Sequence, residues 1–164
     1  MPTLRVLVTD DDEAVRTMCV RALLRRGFAV VEARSGEEAL TLLDQRPFDL
    51  LLTDLRMPGM GGLAASQEIR KNHPDLPIVI MSGYGTLESA IEALELGVSE
   101  FLVKPFRPDE LVSAVTRVLE KSRLVRENAR LQALIPLFDL SRVLMSSMDL
   151  EALHHTACEA VRPD

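Results

Sequence analysis

Cysteines, aromatic residues and long apolar runs are all scarce in this sequence of 164 residues. The two cysteines, Cys19 and Cys158, form neither a disulfide framework nor a metal-ligand spacing, so we expect two free thiols in a reducing cytosol. Every apolar run is far shorter than the ~20 residues that a transmembrane helix needs. The N-terminus also lacks the apolar segment of a signal peptide, which predicts a cytoplasmic protein that is not exported.

The charge of the chain is acidic and unevenly distributed. Residues 121–164 carry six basic and six acidic residues, so the whole net charge of −6 lies within residues 1–120. An acidic domain repels phosphate backbones, and the aromatic residues, at 4%, are not interleaved with any basic stripe. The composition therefore argues against nucleic-acid binding and suits the binding of a hard cation. With 47% apolar and 27% charged residues, it also excludes a disordered chain.

Short apolar runs alternate with amphipathic stretches over most of the chain. Runs rich in Val, Leu and Ile, apolar on both faces as in buried parallel strands, predict five strands: Leu4–Thr9, Phe28–Ala33, Asp49–Thr53, Pro77–Ser82 and Ser99–Lys104. The stretches between them predict helices: one around Val15–Leu23 that stops at Gly27, then Gly36–Gln45, Leu63–Asn72, Leu87–Leu96 and a fifth that opens at Pro108. Ser35 and Glu38 have the spacing of a capping box for the second helix. This alternation predicts an α/β fold, a doubly wound parallel (βα)5 sheet with helices on both faces.

The fifth helix has no clear stop signal near residue 120. The following residues tolerate helix and carry an apolar stripe with one polar member: Leu124, Asn128, Leu131, Ile135 and Phe138. A lone Asn in such a stripe is typical of parallel two-stranded coiled coils, so residues 108–135 could form a homodimer; the alternative is a helix that packs on its own chain. Pro136 is expected to interrupt the stripe, and Asp149 is the predicted N-cap of a last helix, Leu150–Val161.

Chemically active side chains follow the predicted strands where those strands end. Because the carboxyl ends of parallel strands share one edge of the sheet, we expect these residues to converge there: Asp10, Asp11, Asp12, Glu13, Asp54, Ser82 and Lys104. Converging carboxylates raise one another's pKa or bind a cation, and oxygen ligands favour Mg²⁺ or Ca²⁺ over zinc. Asp12 is the predicted cap of the first helix, and the alternative for Asp10 and Asp11 is a pair of solvated loop acids.

These residue types suit phosphoryl transfer. A carboxylate such as Asp54 beside a divalent ion can attack a phosphoryl group, because the metal and an ammonium neutralise charge on the equatorial oxygens. The Ser82 hydroxyl can hydrogen-bond one of those oxygens, and Lys104 can bind another as a point charge. Each residue also has an ordinary alternative, since serine is common in turns and lysine at solvated strand edges.

Four stretches of the sequence contain these residues at specific spacings: Val6–Asp12, Asp49–Gly62, Pro77–Gly83 and Phe101–Phe106. On the basis of these stretches, residues 4–120 resemble a response regulator receiver (CheY-like) domain. The resemblance implies a flavodoxin-like fold with strand order 2-1-3-4-5 and a role in two-component signal transduction. It further implies that Asp54 is phosphorylated by a partner histidine kinase, and that Asp10 and Asp11 hold Mg²⁺ together with Asp54 and the backbone carbonyl of Arg56.

The resemblance also implies a conformational switch. Ser82 matches the hydroxyl residue that closes onto the phosphoryl group, Phe101 matches the aromatic residue that moves inward, and Lys104 matches the conserved lysine of the site. The face formed by the fourth helix, fifth strand and fifth helix would then change its partner preference. The Lys104–Pro105 bond is a candidate for the cis form. Gly61 is a departure, since the family often has Asp at that position.

The C-terminal region resembles the opening helices of a GAF domain over 137–153. We therefore expect three segments: a receiver domain at 1–120, a helical linker at 121–135 and truncated GAF-like helices at 136–164 in a piece of a longer protein with its own output domain. The alternative is a complete protein with a helical extension. The predicted function is a regulatory phosphoryl acceptor and not an enzyme, with no nucleic-acid or membrane partner. Two alternatives stay open. One is a Mg²⁺-dependent aspartyl-phosphate phosphatase, because such enzymes have two Asp residues two positions apart after the first strand, as Asp10 and Asp12 are. The other is a docking module that is never phosphorylated.

Overall fold

A single parallel sheet forms the centre of the computed structural model, which describes residues 2–83 and 85–159, without the side chains of 149 and 154–159. Its order is β2-β1-β3-β4-β5. The strands are β1 (Arg5–Thr9), β2 (Ala29–Ala33), β3 (Leu50–Asp54), β4 (Ile78–Ser82) and β5 (Glu100–Val103). The predicted fold class and strand order are confirmed, and β3 extends one residue further than predicted, so that Asp54 belongs to the strand.

Five helices follow the strands in alternation. They are α1 (Glu13–Arg25), α2 (Gly36–Gln45), α3 (Gly62–Asn72), α4 (Leu87–Glu95) and α5 (Pro108–Glu159). The predicted cap of α1 is confirmed, because an Asp12 side-chain oxygen accepts from the backbone N–H of Ala14 and Val15 at 2.9 and 3.3 Å. Gly27, which was predicted to end α1, has a φ of 87° in the left-handed region that favours glycine.

The start of α2 differs in one detail from the predicted capping box. Ser35 Oγ accepts from the Glu38 N–H at 3.1 Å, as predicted. The Glu38 carboxylate, however, accepts from the Arg34 N–H at 2.7 Å, one residue before the Ser35 N–H that the box requires. The side chain thus caps the turn that enters the helix, and the bounds of α2 still match the prediction.

The sheet separates two apolar clusters. Strand residues that alternate in sequence point to opposite faces, so Val6 and Val8 pack against α1 and α5 while Leu7 packs on the side of α2, α3 and α4. The three central strands β1, β3 and β4 are almost wholly buried. Burial of each large side chain contributes about 1.5–3 kcal/mol, which fixes the strand register and therefore the positions of the residues at the carboxyl edge.

The prediction of a break at Pro136 and a new helix capped by Asp149 is wrong. One helix runs over Pro108–Glu159 with Pro136 inside it. An internal proline removes one hydrogen bond, and the helix-forming residues on both sides of it sustain the remaining ones. The predicted helix end at Val161 lies outside the described residues.

Two compact units make up the chain, Met1–Ser122 and Arg123–Asp164. The first contains the sheet, α1 to α4 and the beginning of α5. In the second, the apolar side chains of the helix are exposed, Leu131 and Phe138 among them. Among the described residues, no helix combines the length and the apolar character that a bilayer crossing requires.

Candidate functional site

Three carboxylates converge at the carboxyl edge of the sheet. Asp10 directly follows β1 and Asp54 ends β3, and these adjacent parallel strands are in register with Thr9 opposite Thr53. One oxygen from each of Asp10, Asp11 and Asp54 lies within 4.8 Å of the others. The predicted convergence of Asp10, Asp11 and Asp54 is confirmed. Asp10 and Asp54 are buried, whereas Asp11 is exposed, so the cluster opens to solvent on one side.

Lys104 reaches into this cluster from the end of β5. Its Nζ lies 2.8 Å from Asp10 Oδ2 and 2.8 Å from Asp54 Oδ1, so one ammonium bridges two carboxylates. The Lys104 backbone N–H also donates to the Ser82 carbonyl at 2.7 Å, and this bond holds the backbone of Lys104 next to β4. The peptide bond from Lys104 to Pro105 is cis, as predicted.

Burial and charge act in opposite directions on the pKa of Asp10 and on that of Lys104. Burial raises the pKa of Asp10, and the Lys104 ammonium and the Asp12 N–H offset that rise only in part. Burial also acts to lower the pKa of Lys104, but its hydrogen bonds to Asp10 and Asp54 and their charges outweigh it and raise the pKa. The ammonium is therefore strongly held in its charged form.

A buried arginine that no sequence motif marks supports the backbone of Asp10. Arg16 Nη1 donates to the Asp10 carbonyl at 2.8 Å, and Arg16 Nε lies 3.4 Å from a Glu32 carboxylate oxygen. The Asp10 side chain is also fixed, because its Oδ1 accepts from the Asp12 N–H at 2.9 Å. The helical spacing of the sequence indicates this burial, because Arg16 lies on the same face of α1 as the buried Cys19 and Leu23.

Hydrogen bonds hold both the side chain and the backbone carbonyl of Asp54. The Arg56 N–H donates to Asp54 Oδ2 at 3.2 Å, and Thr53 Oγ1 donates to the Asp54 carbonyl at 3.2 Å. Gly62 packs against the same carbonyl so closely that a Cβ there would lie 2.1 Å from the oxygen. Only glycine fits at this approach, which keeps the end of β3 and the start of α3 together.

The two predicted switch residues lie on neighbouring strands. Ser82 ends β4 and is buried, one residue beyond Met81, the register partner of Asp54. Phe101 lies on β5, is half-buried and packs against the second apolar cluster. A Cβ at Gly85 would lie 3.7 Å from its ring, so Phe101 also borders the segment that follows β4.

The donor set fits a hard divalent cation. All three side chains that converge are carboxylates, and such ligands suit Mg²⁺ or Ca²⁺ rather than zinc. Three carboxylates with one ammonium leave an excess of negative charge that a divalent cation would neutralise. The exposed Asp11 leaves a path for the ion to enter.

A doubly wound sheet in the order 2-1-3-4-5 with an acidic pocket and a lysine at its carboxyl edge defines the class of receiver-like signalling domains. The family model of the response regulator receiver domain matches residues 6–116. The chain belongs to this family.

Solved structures agree with this assignment. The chain is 35% identical to NtrX from Brucella abortus, with a TM-score of 0.76, over 79% of this chain and 30% of that one. It is 26% identical to a CheY-like receiver domain protein from Methanospirillum hungatei, with a TM-score of 0.72, over 74% of this chain and 98% of that one.

Curated relatives are much longer than this chain. The NtrX-like response regulator of Rickettsia conorii is 35% identical over 135 residues, 81% of this chain and 28% of the relative. The transcriptional regulator NtrC of Escherichia coli K12 is 40% identical over 114 residues, 70% of this chain and 24% of the relative. The chain thus spans about a quarter of their length, with shares of 28% and 24%, and is a receiver domain related to NtrX and NtrC response regulators.

Proposed function

We propose that Asp54 accepts a phosphoryl group from a phosphohistidine of a partner histidine kinase. The observation that carries this proposal is the position of the Asp54 carboxylate, 2.8 Å from Lys104 Nζ and in one cluster with Asp10 and Asp11. An Asp54 oxygen attacks phosphorus, a P–O bond forms, the P–N bond to the histidine breaks and its electron pair returns to the imidazole nitrogen. The product is an acyl phosphate on Asp54 and a neutral histidine.

The residues around Asp54 have different roles in this phosphoryl transfer. Asp10, Asp11, Asp54 and the backbone carbonyl of Arg56 would hold Mg²⁺, which supplies neutralising charge to the transferring group. Lys104 then exchanges its contact with Asp54 Oδ1 for a phosphoryl oxygen, because that carboxylate loses its negative charge when it is phosphorylated. Burial of Asp54 limits the access of water to the acyl phosphate.

A conformational switch follows from this phosphorylation of Asp54. The buried Ser82 hydroxyl moves toward a phosphoryl oxygen, and Phe101 moves into the space beside the segment after β4. These movements change the surface of α4, β5 and α5. A partner that binds one of the two conformations more tightly shifts the equilibrium toward that conformation. The partner is an output domain or a downstream protein.

We further propose that a second copy of the chain covers the exposed stripe of α5. Leu124, Leu131 and Ile135 are 52%, 58% and 57% exposed, and the polar Asn128 lies among them. The stripe has the spacing of a parallel coiled coil. The proposal of GAF-like helices at 136–164 rests on the sequence pattern alone, and part of it, 160–164, lies outside the described residues.

The direct test is phosphorylation by a small acyl phosphate with Mg²⁺, measured by the mass of the intact protein. The wild type is expected to gain one phosphoryl group, and Asp54→Asn none. Asp49→Asn is the matched control, since Asp49 precedes the other end of β3 and accepts from the Arg5 N–H. Equal labelling of wild type and Asp54→Asn would defeat the assignment.

The same proteins distinguish the two alternative functions. Hydrolysis of a phosphate ester that persists in Asp54→Asn would favour the phosphatase alternative, and no affinity for Mg²⁺ would favour the docking module.

A further inference from the structure

The loop between β3 and α3 carries residues that border the acceptor site. Two hydrogen bonds hold its beginning: the Arg56 N–H donates to Asp54 Oδ2, and the Gly62 N–H donates to the Leu55 carbonyl at 2.9 Å. The tip of the loop comprises Pro58 to Met60. The backbone N–H of Met60 at this tip is a donor that needs an acceptor.

Glu37 in the first turn of α2 supplies that acceptor. Its Oε1 accepts a hydrogen bond from the Met60 N–H at 3.0 Å, although the two residues are 23 positions apart in sequence. Two glycines permit this close approach. Gly59 has a φ of 78°, and a Cβ there would lie 2.8 Å from Glu37 Oε1; a Cβ at Gly36 would lie 2.7 Å from the Met60 carbonyl oxygen.

The start of α3 shows why an outside acceptor matters. Gly61 is the N-cap of α3, and no side chain caps the helix there. The Glu37 carboxylate therefore places negative charge beside an N-terminus that has no capping side chain of its own. Hydrogen bonds from its own backbone N–H and from the Met60 N–H lower the pKa of Glu37, so the carboxylate stays ionised at neutral pH.

We propose that Glu37 is a positioning residue for the phosphoryl-acceptor site. It holds the tip of the β3–α3 loop against α2, and the loop in turn holds Arg56, whose N–H contacts Asp54 and whose carbonyl is a proposed Mg²⁺ ligand. This inference rests on the proposed function. Glu37 touches neither the metal nor the phosphoryl group and acts through the loop alone.

Adjacent glutamates in the same helical turn allow a matched experiment. The Glu37 carboxylate contacts the loop, whereas the Glu38 carboxylate accepts a hydrogen bond from the nearby Arg34 N–H. Glu37→Ala, Glu37→Gln and Glu38→Ala are compared with the wild type in the full chain. Three quantities are measured: the dissociation constant of Mg²⁺ by titration calorimetry, the midpoint of thermal unfolding, and hydrogen exchange of the Met60 amide by NMR.

Glu37→Ala is expected to weaken Mg²⁺ binding about tenfold, the lower end of the effect of losing a residue that supports a metal ligand. The Met60 amide should exchange faster in this variant. Glu37→Gln should restore both, because its amide oxygen still accepts from Met60. Glu38→Ala should lower the unfolding midpoint and leave Mg²⁺ affinity unchanged.

Two results would overturn the positioning role: wild-type Mg²⁺ affinity in Glu37→Ala, or equal weakening in Glu37→Ala and Glu38→Ala. A wild type that binds no Mg²⁺ and takes up no phosphoryl group would instead refute the proposed function. Hydrogen exchange of the Met60 amide is measured without metal. If this amide exchanged at the same rate in Glu37→Ala and in the wild type, the contact between Glu37 and the loop would be refuted, whatever the result for Mg²⁺.

Discussion

Lys104 Nζ lies 2.8 Å from Asp54 Oδ1, and the same ammonium lies 2.8 Å from Asp10 Oδ2. The proposed nucleophile is therefore already paired with a positive charge before any metal or phosphoryl group arrives. This arrangement keeps the acidic pocket stable and makes Lys104 a competitor of a cation at the same oxygens.

Replacement of Lys104 by Met is expected to destabilise the metal-free protein. The buried carboxylates of Asp10 and Asp54 would lose their common counter-charge, and breaking such a pair costs about 3 kcal/mol. Added Mg²⁺ should recover more stability in this variant than in the wild type, because no ammonium competes for the oxygens. Urea unfolding with and without Mg²⁺ measures both effects.

The control for that experiment is Lys121→Met, which removes an exposed lysine from α5. It should change neither the stability nor its response to Mg²⁺. If Lys104→Met responded to Mg²⁺ no more than this control, the ammonium and the cation would not share a site.

Loss of the Arg16 side chain is expected to lower stability and disturb the acidic cluster. Arg16→Ala would leave the buried Asp10 carbonyl without its donor, at a cost of about 2 kcal/mol, while the lost ion pair with the half-exposed Glu32 adds little. Arg21→Ala is the matched control, since Arg21 is exposed on the same helix. Equal unfolding midpoints for the two variants would show that the Arg16 contacts contribute nothing.

The stability of the protein should decline at alkaline pH through Cys19. Burial, with the nearby Asp10 charge, raises the pKa of the Cys19 thiol from 9.0 to about 12. Between these values the unfolded chain loses the proton while the folded chain keeps it, so the free energy of unfolding falls as pH rises. Below the lower value both states are protonated and the contribution to stability is complete.

This prediction is measured by urea unfolding over an alkaline pH series in wild type and Cys19→Ala. The variant should show a shallower decline, since it has no thiol to titrate at that position. The structure does not describe the side chain of Cys158, so both proteins carry Cys158→Ser. A slope that Cys19→Ala leaves unaltered would contradict the burial argument.

The helical stripe of α5 is expected to make the chain a dimer. Sedimentation should give a dimer for residues 1–164 and a monomer for residues 1–122, which form a compact unit. Ile135→Asp, within the stripe, should dissociate the dimer, whereas Val125→Asp should not, because Val125 is equally apolar and exposed but lies beside the stripe. A monomer in both lengths of chain would reject this proposal.

Much of the fold follows from local pattern. The alternation of apolar runs and amphipathic stretches predicted the sheet and its helices, and the bounds of α2 matched. The edge rule for parallel strands predicted that Asp10, Asp54 and Lys104 would meet, because each directly ends or follows a strand. The helix through Pro136 was not predicted, since a proline signals an end locally while its neighbours on both sides sustain the helix.

The sequence by itself determined which segments are buried, which face of each helix is apolar and which edge of the sheet is acidic, because periodicity encodes burial. Only the tertiary structure decided which atoms meet across elements. The double contact of Lys104, the bond from Arg16 to the Asp10 carbonyl and the contact between Glu37 and Met60 depend on how close two elements pack and where their backbones point. Periodicity does not specify such distances, since they are set by side-chain volumes and glycines elsewhere in the chain.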